Sequence, residues 1–120
     1  MTTRTRQPSA GRSLDHPARE HIRLEGVLHA LSDPMRLLIV CSLAKSGREQ
    51  TCSALEVPVS KSTGTHHFRV LRESGVIRQT YRGTAKMTAL RREDLDALFP
   101  GLLDTVLTAA DRQAARTAAG

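Results

Sequence analysis

The spacing of apolar residues changes at Gly75, and this change limits the fold more than any other feature of the sequence. Before it, small and apolar residues recur at steps of three and four: Gly64, His67, Phe68 and Leu71. After it, alternate residues point to one side of an extended chain: Ile77, Gln79 and Tyr81. The two periods predict a helix over residues 60 to 74, followed by a strand. Gly83 supplies a tight turn, after which residues 85 to 90 return as the second strand of a hairpin.

Two helices are predicted before this unit. The first begins near Glu20 and carries four apolar residues on one face: Leu24, Val27, Leu28 and Leu31. The second begins at Pro34, because proline suits the first helical position and either Ser32 or Asp33 can cap the helix. It ends near Gly47. These signals predict a pair of helices joined by a short connection.

Three more segments complete the prediction. A short helix is expected around residues 51 to 55, with a turn over residues 56 to 59. A last helix begins at Arg92 and is interrupted at Pro100. We therefore predict one domain over residues 20 to 111, between a flexible basic tail over residues 1 to 19 and a flexible tail over residues 112 to 120.

The composition favours a helical core. The 120 residues contain three aromatic side chains, Phe68, Tyr81 and Phe99, so the core must be built from aliphatic residues. A sandwich or barrel usually needs more aromatic and β-branched residues. The predicted fold class is therefore mainly α with a small β-hairpin.

The positive charge is concentrated in one part of the chain. The formal net charge is +6, but residues 60 to 92 hold eight Lys and Arg against one acid, Glu73, a balance of +7. The basic block, as we call these eight residues, is Lys61, Arg69, Arg72, Arg78, Arg82, Lys86, Arg91 and Arg92. Such a block on one helix and one hairpin indicates a polyanionic partner.

Other classes of protein are disfavoured. The longest apolar run has five residues, against roughly 20 for a membrane span, so we expect no membrane partner and a cytoplasmic location. The sequence has no nucleophile elbow, phosphate loop or His-Glu-x-x-His motif, so it predicts no enzyme and no cofactor.

Two helices, a basic helix and a basic hairpin in this order predict a winged helix-turn-helix. A helix fits the major groove of DNA, and a two-stranded wing can place basic side chains beside the flanking phosphates. The predicted DNA contacts are Ser60, Lys61, Ser62, Thr63, Thr65, His66 and Arg69 on the helix, with Arg82 and Lys86 on the wing. On the same helix Arg72 is expected to extend the polar stripe, and His67 to be packed inside.

Two runs carry a resemblance to a known family. The sequence LSDPMR at residues 31 to 36, and HHFRVLRESGVI at residues 66 to 77, resemble the ArsR/SmtB family of bacterial transcription regulators. The resemblance covers about residues 24 to 107. It implies a homodimer paired through its first and last helices, which binds double-stranded DNA at a palindromic operator, as a rule as a repressor.

The residues leave the effector open. The family's paired-cysteine metal site is represented only by Cys52, and no histidine follows His67 for its C-terminal metal site, so we predict no metal site of either type. A non-standard zinc, nickel, arsenite or thiol-redox sensor stays an alternative. Its candidate residues are Cys41, Cys52, His16, His21 and His29. A second alternative is a winged-helix module that binds proteins rather than DNA.

Overall fold

The computed structural model describes residues 12–51, 55 and 60–119. Within these residues the chain forms five α-helices, four strands and a 3-10 helix at Arg19–His21, with Leu55 also in a 3-10 conformation. The α-helices are α1 (Leu24–Leu31), α2 (Pro34–Ser46), α3 (Lys61–Glu73), α4 (Arg92–Leu98) and α5 (Leu102–Ala119). The strands are β1 (Arg12–Ser13), β2 (Gln50–Thr51), β3 (Ile77–Arg82) and β4 (Ala85–Leu90). The predicted class, helical with a β-hairpin, is confirmed.

The connection between α1 and α2 follows the predicted signals. Asp33 caps α2, because its side chain accepts hydrogen bonds from the backbone N–H groups of Met35 (2.9 Å) and Arg36 (3.1 Å). Pro34 occupies the first turn, and Gly47 ends the helix in a left-handed conformation with φ of 70°. The two helices meet at 101°. No single helix of the described residues is long and apolar enough to span a membrane, and α1 and α2 pass that test of length and composition only as a bent pair.

The sheet contains the predicted hairpin and two short strands that were not predicted. Its order is β1-β3-β4-β2, and all its pairs are antiparallel. The hairpin register runs from Ile77 opposite Leu90 to Arg82 opposite Ala85, with Gly83 in the turn at a φ of 63°. Ile77 and Gln79 are buried while Arg78 is exposed, as their alternation predicts.

Part of the predicted N-terminal tail contacts the sheet and the helices. Residues 12 to 19, which the sequence assigned to a flexible tail, lie against the sheet and α4. We call them the strap. The Leu14 N–H donates to the Gln79 carbonyl (3.2 Å), and the Arg91 Nη1 donates to the Pro17 carbonyl (2.8 Å). Hydrogen bonds of the backbone therefore hold residues 12 to 19 in place, and residues 1 to 11 of the predicted tail lie outside the described residues.

Two further predictions differ from the structure or lie outside it. Of the short helix expected over residues 51 to 55, Thr51 instead belongs to β2 (Gln50–Thr51), which pairs with β4, whereas Leu55 is in a 3-10 helical conformation. Residues 52 to 54 and the predicted turn at 56 to 59 are outside the described residues. At the other end, α5 continues to Ala119 in place of a tail, although residues 111 to 118 are exposed. The predicted break at Pro100 is confirmed by the separation of α4 from α5.

The core lies between the helices and the inner face of the sheet. Its buried residues are aliphatic, with Phe68 as the aromatic member among those described. They include Val27, Ala30, Leu31, Ile39, Val40, Leu43, Leu71, Val76, Ile77, Leu95 and Leu103. Because α3 and the hairpin both pack on this core, their outer surfaces are held on one rigid support.

Candidate nucleic-acid interface

The start of α3 is fixed by Ser60. Its Oγ accepts a hydrogen bond from the Thr63 N–H (3.2 Å) and donates to the Thr63 Oγ1 (2.9 Å). An N-cap of this kind satisfies one of the free N–H groups of the first turn. Lys61 begins the helix, and its side chain lies outside the described residues. The N-terminal turn is therefore ordered by the same hydroxyl groups that were predicted to reach DNA.

The two faces of α3 are divided as the spacing predicts. Its inner side is buried: Gly64, His67, Phe68 and Leu71. Its outer side is exposed and polar: Ser62, Thr63, Thr65, His66 and Arg69. The predicted helix contacts whose side chains are described therefore lie together on one surface, with Arg69 as its cation. Hydroxyl, imidazole and guanidinium groups can donate to phosphates and to the acceptor atoms of base edges.

A buried arginine, Arg36, holds α3 against the first two helices. Its Nε donates to the Ala30 carbonyl (2.7 Å), and its Nη2 donates to the His29 carbonyl (3.3 Å). Its Nη1 lies 3.2 Å from the His67 Nδ1. The Asp33 Oδ2 lies 3.9 Å from the same nitrogen. The prediction of a packed His67 is confirmed, whereas the partner Arg36 was not foreseen.

Arg72 differs from its predicted position on the outer stripe. It is half-buried, and its Nη1 donates to the Gln79 Oε1 (2.8 Å) on β3. The Gln79 Nε2 donates in turn to the Thr88 Oγ1 (3.2 Å) on β4. The hydrogen bond to the buried Gln79 amide turns the Arg72 guanidinium toward the hairpin and away from the outer surface of α3. The exposed cationic surface of α3 is thus narrower than the sequence implies.

The wing, as we call β3, β4 and their turn, carries both predicted basic contacts near its tip. Arg82 is exposed, and its Nη2 lies 2.7 Å from the Glu49 Oε1. The Lys86 Nζ lies 5.7 Å from the centre of the Tyr81 ring, within the range of a cation–π contact. Both side chains lie on the hairpin that follows α3, as predicted. The ion pair with Glu49 was not predicted, because Glu49 lies in the connection before β2.

Part of the basic block serves the fold itself. Asp94 on α4 contacts three arginines: Arg19 (2.7 Å), Arg91 (2.9 Å) and Arg78 (3.7 Å). Burial alone would raise the pKa of the Asp94 carboxyl, but the hydrogen bonds from Arg19 and Arg91 outweigh it and lower that pKa. The carboxylate is therefore charged and ties the strap and the wing to α4.

Comparisons with known proteins agree with this geometry. No protein-family model matches the chain. The chain is 33% identical over 82 residues to YceK of Bacillus subtilis strain 168, an uncharacterized HTH-type transcriptional regulator, an alignment that covers 67% of this chain and 82% of YceK. The crystal structure of an ArsR family transcriptional regulator superposes with a TM-score of 0.57 at 27% identity, covering 68% of this chain and 90% of the other. This chain belongs to the ArsR family of transcriptional regulators.

A second solved member of the family supports the same assignment. The transcriptional repressor BigR from Xylella fastidiosa superposes with a TM-score of 0.52 at 26% identity, covering 63% of this chain and 85% of BigR. The fold of this ArsR-family regulator is accordingly a winged helix-turn-helix, and we call α3 the recognition helix after its predicted role. Its function is DNA binding in the regulation of transcription.

Four candidate sensor residues of this ArsR-family regulator are described by the structure: His16, His21, His29 and Cys41. No group of three or more His, Cys, Asp or Glu side chains is arranged to hold a metal ion among the described residues. His16 is bound to the sheet, because its Nε2 accepts from the Gln79 N–H (2.8 Å). Burial, aided by Arg78, lowers the pKa of His16 to about 4. Cys41 is half-buried on α2, and burial raises the pKa of its thiol, while Cys52 lies outside the described residues.

Proposed function

We propose that the protein is a homodimeric repressor that binds a palindromic operator with two copies of α3 and two wings. The observation that carries this proposal is the exposed polar surface of α3 beside a hairpin with Arg82 and Lys86 near its tip. Such a pair of elements can contact one major groove and the phosphates next to it. Because its target is chromosomal DNA, we place the protein in the cytoplasm.

The dimer is supported by an apolar surface that this single chain leaves uncovered. Leu24 and Leu28 of α1 are 43% and 46% exposed. They lie one helical turn apart, so both side chains are on the same face. In α5, Val106 and Leu107 are only partly buried. Pairing of first and last helices around a two-fold axis would cover these side chains.

A structural neighbour supports repression rather than activation of transcription, since BigR is a transcriptional repressor. The two helices of a dimer would then exclude polymerase from a site that overlaps the promoter. The proposal includes no catalytic step. The proposal does not assign an effector. The family resemblance suggests two chemical classes for it, a metal ion or an oxidant.

The proposal is tested by footprinting the full-length protein on the DNA upstream of its own gene. We expect a palindromic footprint with half-sites about one helical turn apart, or about 34 Å. Arg69→Ala should weaken binding by about 5- to 150-fold, because an arginine contact to a base contributes about 1–3 kcal/mol. Arg112→Ala, which removes an exposed arginine of α5, is the matched control and should leave the affinity unchanged.

Two outcomes would contradict the proposal. Equal losses for the two variants would mean that the exposed face of α3 does not read the operator. A non-palindromic footprint from a monomer would rule out the dimer. Salt distinguishes the alternative protein-binding module, because the logarithm of a DNA-binding constant falls steeply with the logarithm of the salt concentration when several phosphates are contacted.

A further inference from the structure

The hairpin contains a fully buried amide side chain, Gln79, at the centre of β3. Its side chain has no exposed surface, and its cross-strand partner Thr88 is equally buried. A polar group at such a place costs free energy unless its donors and acceptors are paired, and an aliphatic residue would serve a core better. The role of the Gln79 side chain therefore lies in its hydrogen bonds rather than in apolar packing.

These hydrogen bonds join three parts of the molecule at one residue. The Gln79 side chain accepts from Arg72 on α3 (2.8 Å) and donates to Thr88 on β4 (3.2 Å). Its backbone N–H donates to the His16 Nε2 of the strap (2.8 Å), and its carbonyl accepts from the Leu14 N–H (3.2 Å). The recognition helix and both strands of the wing meet at the side-chain amide of Gln79, and the strap is bonded to the backbone of the same residue.

The position of this junction bears on DNA binding. Arg72 follows Arg69 by three residues, so it lies in the next turn of the helix that carries the outer polar surface. Gln79 precedes Arg82 by three residues on the strand that leads to the wing tip. The bond between Arg72 and Gln79 therefore links the two surfaces that must contact the same duplex. This hydrogen bond is partly buried and has a charged donor, so it is strong and directional and restricts the angle between helix and hairpin.

We propose that Gln79 is a positioning residue for DNA binding, which sets the orientation of the wing relative to the recognition helix. This inference rests on the proposed use of α3 and the wing on one duplex. Without the amide, α3 still presents Arg69 to the groove, but the wing tip is no longer held where Arg82 reaches a phosphate. In that case the recognition helix keeps its contribution to DNA affinity, and the wing loses its contribution.

The test is a set of double-mutant comparisons on the full-length protein with operator DNA. Gln79→Met keeps the length of the side chain and removes its amide. Arg82→Ala should weaken binding by about 5-fold or more in the native protein, but by less than about 2-fold in the Gln79→Met protein. Arg69→Ala should weaken binding by the same factor in the native protein and in the Gln79→Met protein. Gln79→Met should itself lower the slope of the logarithm of affinity against the logarithm of salt by about 0.9 for each phosphate contact that the wing loses.

Controls separate positioning from stability. Gln113→Met makes the same exchange at an exposed site of α5 and should change neither affinity nor salt slope. Gln79→Glu keeps an oxygen acceptor for Arg72 and should restore the effect of Arg82→Ala. If Gln79→Met does not fold, as circular dichroism would reveal, Arg72→Met cuts the same bond from the helix side, and the same two comparisons apply to it.

The results can also contradict the inference. If Arg82→Ala and Arg69→Ala each have the same effect in both backgrounds, Gln79 has no role in orienting the wing and the inference is wrong. That result leaves the proposed function intact. If neither arginine affects binding in the native protein, the proposed DNA surface is wrong, and the inference fails with it.

Discussion

Arg36 shows how one side chain can fix the relation between three helices. A guanidinium group has five N–H donors, and the described contacts direct them to two carbonyls at the end of α1 and to an imidazole of α3. The last carbonyls of a helix have no partner within it and carry partial negative charge. Arg36, at the start of α2, therefore caps α1 while it holds the recognition helix. The angle of 101° between α1 and α2 gives it access to both.

Gly75 fixes the transition from α3 to the wing, and its substitution gives the first stability prediction. Its φ is +90°, and a Cβ atom there would lie 2.5 Å from the Ile22 Cγ1. Ile22 is buried, so its side chain has little room to rotate away. We expect Gly75→Ala to lower the free energy of unfolding by about 2–5 kcal/mol, from left-handed strain and overpacking together.

Gly83 is the matched control for that substitution. It also has a positive φ, +63°, but a Cβ atom there would meet nothing within 4 Å. Gly83→Ala should therefore cost only the conformational term, about 1–2 kcal/mol. Urea denaturation of the two variants measures the difference. Equal losses would show that the contact with Ile22 does not limit this position.

At the scale of elements, the strap makes the stability depend on pH through His16. The folded-state pKa of His16 is lowered to about 4, below its ordinary value of 6.5, by burial and then by Arg78. The unfolded chain therefore takes up a proton more readily than the folded one, and stability falls as the pH drops from about 6.5 through about 4. Protonation also removes the acceptor for the Gln79 N–H.

His16→Gln cannot take up this proton, which makes it the test of the prediction. The free energy of unfolding of the native protein should fall between pH 6.5 and pH 4 more than that of the variant, as measured by urea denaturation at several pH values. Asp33 and Asp94 have lowered pKa values and lose their stabilising charge as the pH falls further, but they do so in both proteins. Identical pH profiles would refute a role for His16.

The elements that the sequence predicts well are those with local signals. Pro34 and its capping residue mark the start of α2, and the change of period at Gly75 marks the end of α3 and the start of the wing. β1 and β2 have no such signal, because each has two residues and its partner strand lies far away in the chain. Their pairing depends on tertiary structure, which no window of sequence contains.

The same distinction applies to the candidate site. The exposed face of α3 follows from helical spacing alone, and the predicted helix contacts whose side chains are described do lie on it. The contacts of the arginines do not follow from spacing. Arg72 turns toward Gln79 and Arg82 pairs with Glu49, because the partners come from elements that only the complete fold brings near. Polar character was predictable for these positions, but their partners were not.

For the whole molecule, the uncovered leucines of α1 predict the oligomeric state. Replacing both Leu24 and Leu28 with Glu should convert a dimer to a monomer, because their exposed apolar surface would then carry charges that cannot be buried. Sedimentation equilibrium measures the mass, and operator affinity should fall with it. Leu38→Glu is the matched control, since Leu38 is 41% exposed on α2, outside the proposed contact. A double variant that remained dimeric would show that α1 does not form the interface.

The charge of the whole molecule is less available to DNA than the sequence suggests. Within the described residues, four members of the basic block contact carboxylates. Arg78 and Arg91 contact Asp94, Arg82 contacts Glu49, and Arg92 contacts Asp104. Arg72 is engaged by Gln79. Several members of the basic block are therefore engaged within the protein itself. The formal charge of the block overstates the number of phosphates that it can neutralise.

The short strands at both sides of the wing also affect how copies of the protein meet in concentrated solution. An uncovered strand edge is a template on which another chain can add a strand and start an aggregate. Here β1 lies along the outer half of β3, with Arg12 opposite Tyr81, and β2 lies along the middle of β4, with Gln50 opposite Thr88. Within the described residues, each of these outer strands has two residues. The described part of the sheet therefore presents less of the edges of its two long strands to another chain.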